Sequence, residues 1–360
     1  MADFKDGELA LGVGSGTPAF TTFTLNQTTD ALETIFRAPE PDTITTVLLR
    51  QGTVTGTAPT YRVSLQGVDG SGNPDGTIKG SGTCYVDVTP TAGNNSTMLR
   101  LTLGASYTWT RGEMVAIVAA YQSGTVDGSN NCSFTSTNNI SHLPGCPYAI
   151  HNDAGSRTRQ TSASANIALA SATKVYGMSA ETINTAAFSS TSSPDERGIK
   201  FTLPAGCGDT FQVAGVRWTG AMAAAGAHDL VLYDGTTVLQ SISIDNDHDA
   251  AATSARMRMF FFDESTLSTL TFGTEYRLVL KPTTGSLTLY DFTVDASGDL
   301  EGWPFGSMVC FTGRTDAGSW TDDATKRPTI SGIILADVTE PSGSSGGLLT
   351  HGGMTGGLNG

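Results

Sequence analysis

An internal repeat constrains this chain more than any other feature of its sequence. Residues Leu101–Tyr121 read LTLGASYTWTRGEMVAIVAAY, and a related pattern returns as LSTLTFGTEYRLVLK at Leu267–Lys281. Each copy carries an apolar strand, a turn with Gly112 or Gly273, a glutamate and a second apolar strand. The spacing between Gly112 and Gly273 is the length of a whole domain rather than of a solenoid unit.

Four further landmarks recur in the same order and at nearly the same spacing. The pairs are TIFRAP at Thr34–Pro39 and IKFTLP at Ile199–Pro204, VLLRQG at Val47–Gly52 and VAGVRW at Val213–Trp218, YRVSL at Tyr61–Leu65 and DLVLY at Asp229–Tyr233, and DAGS at Asp153–Ser156 and Asp316–Ser319. Chance matches would not keep both their order and their spacing. We therefore predict that one ancestral domain was duplicated.

The alternation of strand-like runs and turn residues indicates the fold class. From Phe20 onward, short runs rich in Val, Ile, Thr, Phe and Tyr are separated by Gly, Pro, Asn and Asp, and helical periodicity is nearly missing. Met114–Ala120 and Arg277–Lys281 have apolar residues on both faces, which is typical of central strands. At 360 residues the chain exceeds the usual size of one hydrophobic core. The sequence predicts an all-β fold of two tandem antiparallel β-sandwich domains.

The domain boundaries follow from composition. We predict an N-terminal arm at 1–17, a first sandwich at 18–177, a linker at 178–193, a second sandwich at 194–340 and a Gly-rich C-terminal tail at 341–360. The closing strands are placed at Thr173–Gly177 and within Lys326–Leu335. The tail either stays flexible or docks on a neighbouring subunit through Leu348, Leu349 and Met354.

Charge and composition exclude several classes of function. The chain has 34 acidic and 20 basic residues, a net charge of −14 and a pI near 4.6, so it would repel a nucleic-acid backbone. It has no apolar run of about 18 residues, so no membrane span is expected. The first residues lack the basic start and apolar run of a secretory signal. We expect no partner among nucleic acids or membranes, and synthesis in a cytoplasm.

The cysteines agree with a reducing compartment. There are five, namely Cys84, Cys132, Cys146, Cys207 and Cys310, without metal-ligand spacing. Cys132 and Cys146 could pair across one loop, but isolated thiols that pack as small apolar residues are favoured.

Two loops carry oxygen ligands that suit a hard cation. Asp69, Asn73 and Asp75 alternate in DGSGNPDG as in calcium loops, but the position of the expected bidentate glutamate is occupied by Gly80. A plain hairpin tip is therefore favoured. Asp245 and Asp247 belong to the densest acidic cluster, which is favoured as a solvated loop. We predict no cofactor, with Ca²⁺ at either loop as the weaker alternative.

Catalytic motifs are missing from the sequence. There is no HExxH, no GxSxG, no P-loop and no GxGxxG that opens a helix. Glu113 and Glu275 are repeated, but they occupy the same place in separate domains, whereas a glycosidase needs two carboxylates across one cleft. We predict that the protein is not an enzyme and has no catalytic residues.

A resemblance can now be stated. The stretch YRVSLQGVDGSGNPDG at Tyr61–Gly76, followed by Gly80-Ser81-Gly82 and the Gly112 turn, resembles the jelly-roll, carbohydrate-binding-module-like sandwich of bacterial surface proteins and bacteriophage virion proteins. The second half shortens the hairpin tip to Tyr233–Thr237. Together with the Gly-rich tail, the tandem arrangement resembles tailed-bacteriophage structural proteins. The resemblance implies a virion location, a role in head decoration, a head fibre or a tail appendage, and other virion proteins and copies of itself as partners.

A glycan-binding adhesin or receptor-binding protein is the alternative, because jelly rolls bind host-surface glycans through exposed aromatic side chains. Trp109 aligns with the apolar Leu270, so we expect it in the core. Trp303 and Trp320 lie in loop-like sequence and are the better candidates for contact with a partner or a glycan.

Overall fold

The structure is a computed structural model, and it describes residues 6–10, 18–38, 41–138, 148–165, 167–172, 175–177, 180–190, 194–205, 208–222, 227–244, 256–294 and 309–339. The chain divides into two compact units. One comprises Pro18–Thr182 with Val294–Trp303, and the other comprises Met1–Thr17, Ile183–Thr293 and Pro304–Gly360. We call them the first sandwich and the second sandwich.

The described residues form strands numbered β1 to β27 in chain order. They are β1 (Asp6–Ala10), β2 (Ala19–Leu25), β3 (Ala31–Arg37), β4 (Asp42–Thr55), β5 (Thr60–Val68), β6 (Pro74–Ile78), β7 (Tyr85–Val88), β8 (Met98–Trp109), β9 (Met114–Ser123), β10 (Asn131–Asn138), β11 (Tyr148–Asp153), β12 (Ser156–Ala165), β13 (Ile167–Ala170), β14 (Val175–Gly177), β15 (Ala180–Ser189), β16 (Glu196–Thr202), β17 (Thr210–Met222), β18 (His228–Asp234), β19 (Thr237–Ile244), β20 (Arg256–Phe261), β21 (Thr269–Thr271), β22 (Glu275–Pro282), β23 (Ser286–Val294), β24 (Val309–Arg314), β25 (Thr321–Asp323), β26 (Lys326–Pro328) and β27 (Ile330–Ala336). Short helical turns occupy Lys79–Gly82, Ala92–Asn94 and Glu264–Thr266.

The first sandwich has two layers. One layer runs β12-β11-β3-β9-β5-β6, with β7 also paired to β5. The other runs β14-β13-β4-β10, with β8 on β4 and β2 on β10, and the end of β10 pairs with β12 where the layers meet. These strand pairs are antiparallel, and the prediction of an all-β fold of antiparallel sandwiches is confirmed.

The second sandwich repeats this plan. One layer runs β19-β18-β22-β16-β24-β25, and the other runs β1-β27-β17-β23-β15, with β20 and β21 on β17 and β26 on β23. In the first of the two layers, four pairs have a counterpart in the second sandwich: β3–β9 matches β16–β22, β3–β11 matches β16–β24, β5–β9 matches β18–β22, and β11–β12 matches β24–β25. In the other layer, β4–β13 matches β17–β27, β4–β10 matches β17–β23, β4–β8 matches β17–β20, and β2–β10 matches β15–β23.

Each core lies between its two layers. In the first sandwich, β9 contributes Val115, Ile117 and Ala119 to the main core, while Ala116 and Val118 pack on the outer face. In the second sandwich, β22 is used in the same way, with Leu278 and Leu280 inside and Val279 outside. The prediction that these two strands are apolar on both faces is therefore confirmed.

The repeated turn is reproduced in detail. Gly112 and Gly273 both have φ of +81°, a region that favours glycine. The N–H of Gly112 donates to Ala38 O at 2.8 Å, and that of Gly273 donates to Leu203 O at 2.7 Å. The register is also the same, because Phe36 faces Val115 in β3–β9 as Phe201 faces Tyr276 in β16–β22.

The DAGS landmark lies in the equivalent hairpin of each sandwich, but the turns differ. In the first, Ala154 and Gly155 form a two-residue turn with positive φ between β11 and β12. In the second, the longer stretch from Asp316 connects β24 to β25. A carboxylate holds each turn, since Asp30 accepts the Ala154 N–H at 3.0 Å and Asp195 accepts the Asp316 N–H at 3.2 Å.

Two alignments made from the sequence were wrong. By register, Val63 and Leu65 of β5 correspond to Leu230 and Leu232 of β18, which is one residue away from the match of YRVSL with DLVLY. A slip of one residue exchanges the two faces of a strand, and only the observed register places all four side chains in a core. The strand equivalent to β27 is β13, so the alignment of Thr173–Gly177 with Lys326–Leu335 was wrong, although residues 175–177 do form the last strand of the first sandwich, β14.

The predicted linker and arm also contain strands. Residues 180–189 of the predicted linker 178–193 form β15, which pairs with β23. Its Ser, Thr and Ala content is typical of a linker, but Phe188 enters the core and Asn184 donates to Asp291 Oδ1 at 2.7 Å. Within the predicted arm 1–17, residues 6–10 form β1 on the edge of β27. The predicted tail, 341–360, lies outside the described residues.

Candidate functional site

The structure places some of the predicted site residues and not others. Asp69, Asn73, Asp75 and Trp320 lie in described segments. The remaining candidates lie outside the described residues: Asp245, Asp247, Trp303, Leu348, Leu349 and Met354.

The tip between β5 and β6 binds its own backbone. Asp69 Oδ1 accepts the N–H groups of Asn73 and Ser71 at 2.9 and 2.8 Å, and these bonds hold the pKa of Asp69 below its usual value. Asp75 Oδ1 accepts the N–H of Thr77 at 2.7 Å. Gly72 has φ of +79°, as a tight tip requires. The two carboxylates therefore cap turns, as the favoured hairpin-tip interpretation requires.

Glu113, the first of the repeated glutamates, accepts hydrogen bonds from groups on neighbouring segments. Its Oε1 accepts from the Tyr107 hydroxyl at 2.5 Å and from Lys79 Nζ at 3.1 Å, while Oε2 accepts from the Thr110 N–H at 3.1 Å. Burial alone would raise the pKa of Glu113, but the hydrogen bonds outweigh it and lower the pKa. Glu113 is therefore more buried than the solvent-facing residue that its place at a strand start suggests.

Glu275 has a looser environment on the outer face of the β16-β22-β24 layer. It forms ion pairs of 3.2 Å with both Lys200 and Arg277, and its side chain is 45% exposed. Asp322 accepts from the same two cations at 3.1 and 2.9 Å. The side chains form a network across adjacent strands, in which each carboxylate has two cations.

Trp320 packs beside this network and is not a free aromatic platform. Its ring makes an edge contact with Tyr233 at a centroid distance of 5.3 Å. The guanidinium groups of Arg314 and Arg277 lie 4.3 and 5.5 Å from the ring centroid. Arg314 is fixed in turn by the buried Glu196, with a shortest contact of 2.6 Å. The half-buried indole therefore belongs to an aromatic and arginine cluster that covers the outer face of β18, β22 and β24.

An open groove of about 370 Å³ lies between β7 and β8. It is lined by Thr83, Tyr85, Val86, Asp87, Thr102 and Gly104. The Arg62 guanidinium lies 3.9 Å from the centroid of the Tyr85 ring and is held by Asp87 at 2.7 Å. The groove thus offers hydroxyl and carboxylate groups beside an aromatic ring that is stacked on an arginine.

Sequence reasoning missed an exposed apolar pair on β20. Met259 is 47% exposed and Phe261 is 53% exposed, whereas the intervening Phe260 packs against the core. β20 pairs with β17 on one side, and no described strand pairs with its other side. The sequence of Met259–Phe261 could have predicted this exposure, because three consecutive apolar residues on a strand cannot all face one core.

Buried titratable groups in the described residues serve packing. Cys84, Cys132 and Cys310 are buried free thiols, and burial raises the pKa of Cys132 to about 12. This agrees with thiols packed as small apolar residues, whereas Cys146, the possible partner of Cys132, lies outside the described residues. Trp109 is fully buried in the first core, as expected from its alignment with Leu270.

Within the described ranges, no three His, Cys, Asp or Glu side chains come together in a group that could hold a metal ion. In the same ranges, no helix is long and apolar enough to cross a membrane.

Comparisons with known proteins leave the function to be argued from this geometry. No protein-family model and no curated protein sequence matches the chain. Among solved structures, a chain described as "Structure of infectious bursal disease virus Gt strain" aligns over 91% of this chain and 82% of that chain. Its sequence identity is 11% and its TM-score is 0.14, a value too low to support any inference about this protein.

Proposed function

We propose that this chain is a non-enzymatic structural protein of a bacteriophage virion. In this proposal it is a capsid decoration, head-fibre or tail-associated protein, made in the host cytoplasm and assembled in many copies. Its partners are copies of itself and other virion proteins. The resemblance of its tandem sandwiches to tailed-phage structural proteins supports the viral part of the proposal.

The exposed apolar pair on β20 carries the assembly part of the proposal. Met259 and Phe261 are adjacent on one face of a strand whose outer edge has no partner among the described residues. An apolar face beside an open edge is suited to association with another chain, through both side chains and backbone hydrogen bonds. The charged side chains around Glu113 and Trp320, by contrast, are used in bracing each sandwich.

Sedimentation of the purified full-length chain over a wide range of concentrations tests this assembly. We expect concentration-dependent self-association that Phe261→Glu weakens, because a charge on this face would have to be desolvated on contact. Val238→Glu is the matched control, since Val238 is also 53% exposed but has no second exposed apolar side chain beside it on β19. A chain that stays monomeric at all concentrations would contradict the proposal, as would equal effects of the two variants.

The virion location has a separate test. Antibodies raised against the purified chain are applied to purified particles of the phage whose genome carries it, and labelling is viewed by electron microscopy. Regular labelling of the head or the tail is expected. Antigen found only in the soluble lysate would contradict the location.

A glycan-binding role is the alternative, and the groove at Tyr85 favours it. Its hydroxyl groups, a carboxylate and an aromatic ring are the groups that hold sugars in many binding sites. Binding of the purified chain to a glycan array, lost in Tyr85→Ala and kept in Tyr121→Ala, would support an adhesin in place of a structural protein.

A further inference from the structure

The sheet of the second sandwich is completed by a strand from the other end of the chain. β1 pairs along its whole length with β27, from Asp6 facing Ala336 to Ala10 facing Gly332. Every other described strand assigned to this unit comes from 183 onward or spans its start at β15. In sequence, residues 11–17 join β1 to the strands that follow it.

The first sandwich closes the equivalent edge differently. There, β14 follows β13 directly in sequence and pairs back along it, with Ala168 facing Gly177 and Ala170 facing Val175. After β27 the chain takes another route. The N–H of Thr339 donates to Thr210 O at 2.9 Å, and the N–H of Asp209 donates to Thr339 O at 3.1 Å. Residues 337–339, the described residues after β27, therefore run beside the start of β17 and not along the outer edge of β27.

Without β1, the outer edge of β27 would be well suited to pair with another strand. The sequence ISGIILA has neither a charged residue nor a proline, the usual features that protect a sheet edge. Ile333 and Leu335 are fully buried in the core, so the strand is held in place on its inner side. The edge would present a fixed row of backbone donors and acceptors to any strand that reached it.

We infer that residues 6–10 are an exchangeable donor strand, which in the assembled protein pairs with 330–336 of a second copy. This rests on the proposed function, because it adds a second link between the copies to the contact proposed at β20. The same backbone hydrogen bonds form within one chain or between two, so exchange costs little beyond the entropy of association. A head-to-tail link of this kind closes into a ring or extends as a filament.

Site-directed cross-linking distinguishes the two arrangements. Residues that face each other in an antiparallel pair have Cα atoms about 4.5–5.5 Å apart, which is within the range of about 4.4–6.8 Å for disulfides. Glu8 faces Ile334. One chain carries Glu8→Cys and a tag, and a second carries Ile334→Cys, both with Cys146 and Cys207 replaced by serine. The two chains are co-expressed, and the assembled fraction is oxidised and analysed under non-reducing conditions.

We expect at least about tenfold more tagged-to-untagged disulfide dimer than with a Val238→Cys partner, because pairing raises the effective concentration of the two thiols. A chain with both Glu8→Cys and Ile334→Cys establishes that the bond can form. If assemblies form and that double variant links only within one chain, the donor-strand inference is overturned while the proposed function stands. If no variant or wild-type chain assembles, the proposed function itself fails.

Discussion

The two sandwiches share most of their strand pairings, but they close the same sheet edge with different segments. In the first, β14 is supplied by the residues that follow β13. In the second, β1 is supplied by the opposite end of the chain, with Asp6 facing Ala336. The duplicated fold therefore fixes which strands form the core, and leaves the edge strand free to be replaced. Edges are where a duplicated domain can acquire a new partner without repacking its core.

A second difference lies at one equivalent core position. Tyr61 in β5 corresponds to His228 in β18, and both are fully buried. The Tyr61 hydroxyl donates to Leu25 O at 2.8 Å and accepts from the Cys132 N–H at 3.0 Å. Neither ring nitrogen of His228 has a hydrogen-bond partner in the described part of the chain. One sandwich thus uses this position as a polar bridge, and the other places a titratable ring there.

The largest expected effect tests whether the cores are equivalent. Phe36 and Phe201 occupy the same place in β3 and β16, at 2% and 1% exposure. Phe36→Ala and Phe201→Ala should each lower the free energy of unfolding of their own sandwich by about 3–5 kcal/mol, since each leaves a large cavity. Hydrogen exchange of β3 and β16 peptides, followed by mass spectrometry, measures the two effects. A loss below about 1 kcal/mol at only one position would contradict the equivalence.

The next prediction concerns His228 alone. Burial, and then the Arg258 guanidinium, lower its pKa from 6.5 to about 4, while Asp229 acts in the opposite direction. The unfolded chain binds a proton near pH 6.5, and the folded chain binds one only near pH 4. The contribution of His228 to the free energy of unfolding is therefore complete above pH 6.5. It is lost as pH falls towards 4, by about 3 kcal/mol in total.

Urea denaturation at several pH values measures this loss, and His228→Phe provides the comparison because it cannot titrate. The difference in unfolding free energy between wild type and variant should shift across this interval. A constant difference would contradict the assignment. Tyr61→Phe in the first sandwich is the matched control, for which no such shift is expected.

A smaller effect separates the repeated glutamates. Glu113→Ala should cost about 1–3 kcal/mol, because Tyr107, Lys79 and the Thr110 N–H lose their acceptor in a half-buried site. Glu275→Ala should cost less than about 1 kcal/mol, because its ion pairs are exposed to solvent. Thermal and chemical denaturation of the two variants measure the difference. Equal losses would show that the two turns are braced in the same way.

The smallest effect lies in the turn glycines. Gly112→Ala should cost about 1–2 kcal/mol from its positive φ alone, because nothing lies within 4 Å of an added Cβ. Gly273→Ala has the same φ, but its Cβ would lie 3.1 Å from Ala205 Cβ, so a greater loss is expected. Denaturation curves for the two alanine variants, measured under one set of conditions, provide the test. Equal losses at the two positions would contradict the prediction and would show that Ala205 moves away from the added Cβ without cost.

Much of this architecture could be predicted because repeats and turns are local signals. The Gly112 and Gly273 turns, the β9 and β22 strands and the burial of Trp109 all follow from residue type and spacing. The alignment of β5 with its counterpart β18 could not be found in the same way. YRVSL and DLVLY align almost equally well when one of them is shifted by a single residue. Only the cross-strand register determines which side chains face the core.

The sequence by itself determined that this protein is built twice from the same β-rich unit, since hydrophobic alternation and turn glycines act over short distances along the chain. The tertiary structure alone decided that residues 180–189 of the predicted linker form β15, that residues 6–10 are an edge strand, and that Trp320 is enclosed by Arg277 and Arg314. Each of these depends on at least one partner that is distant in the chain, such as Ala336 for Asp6. Edge pairing and side-chain enclosure depend on which surface is available after folding, and no local pattern of residues specifies that surface.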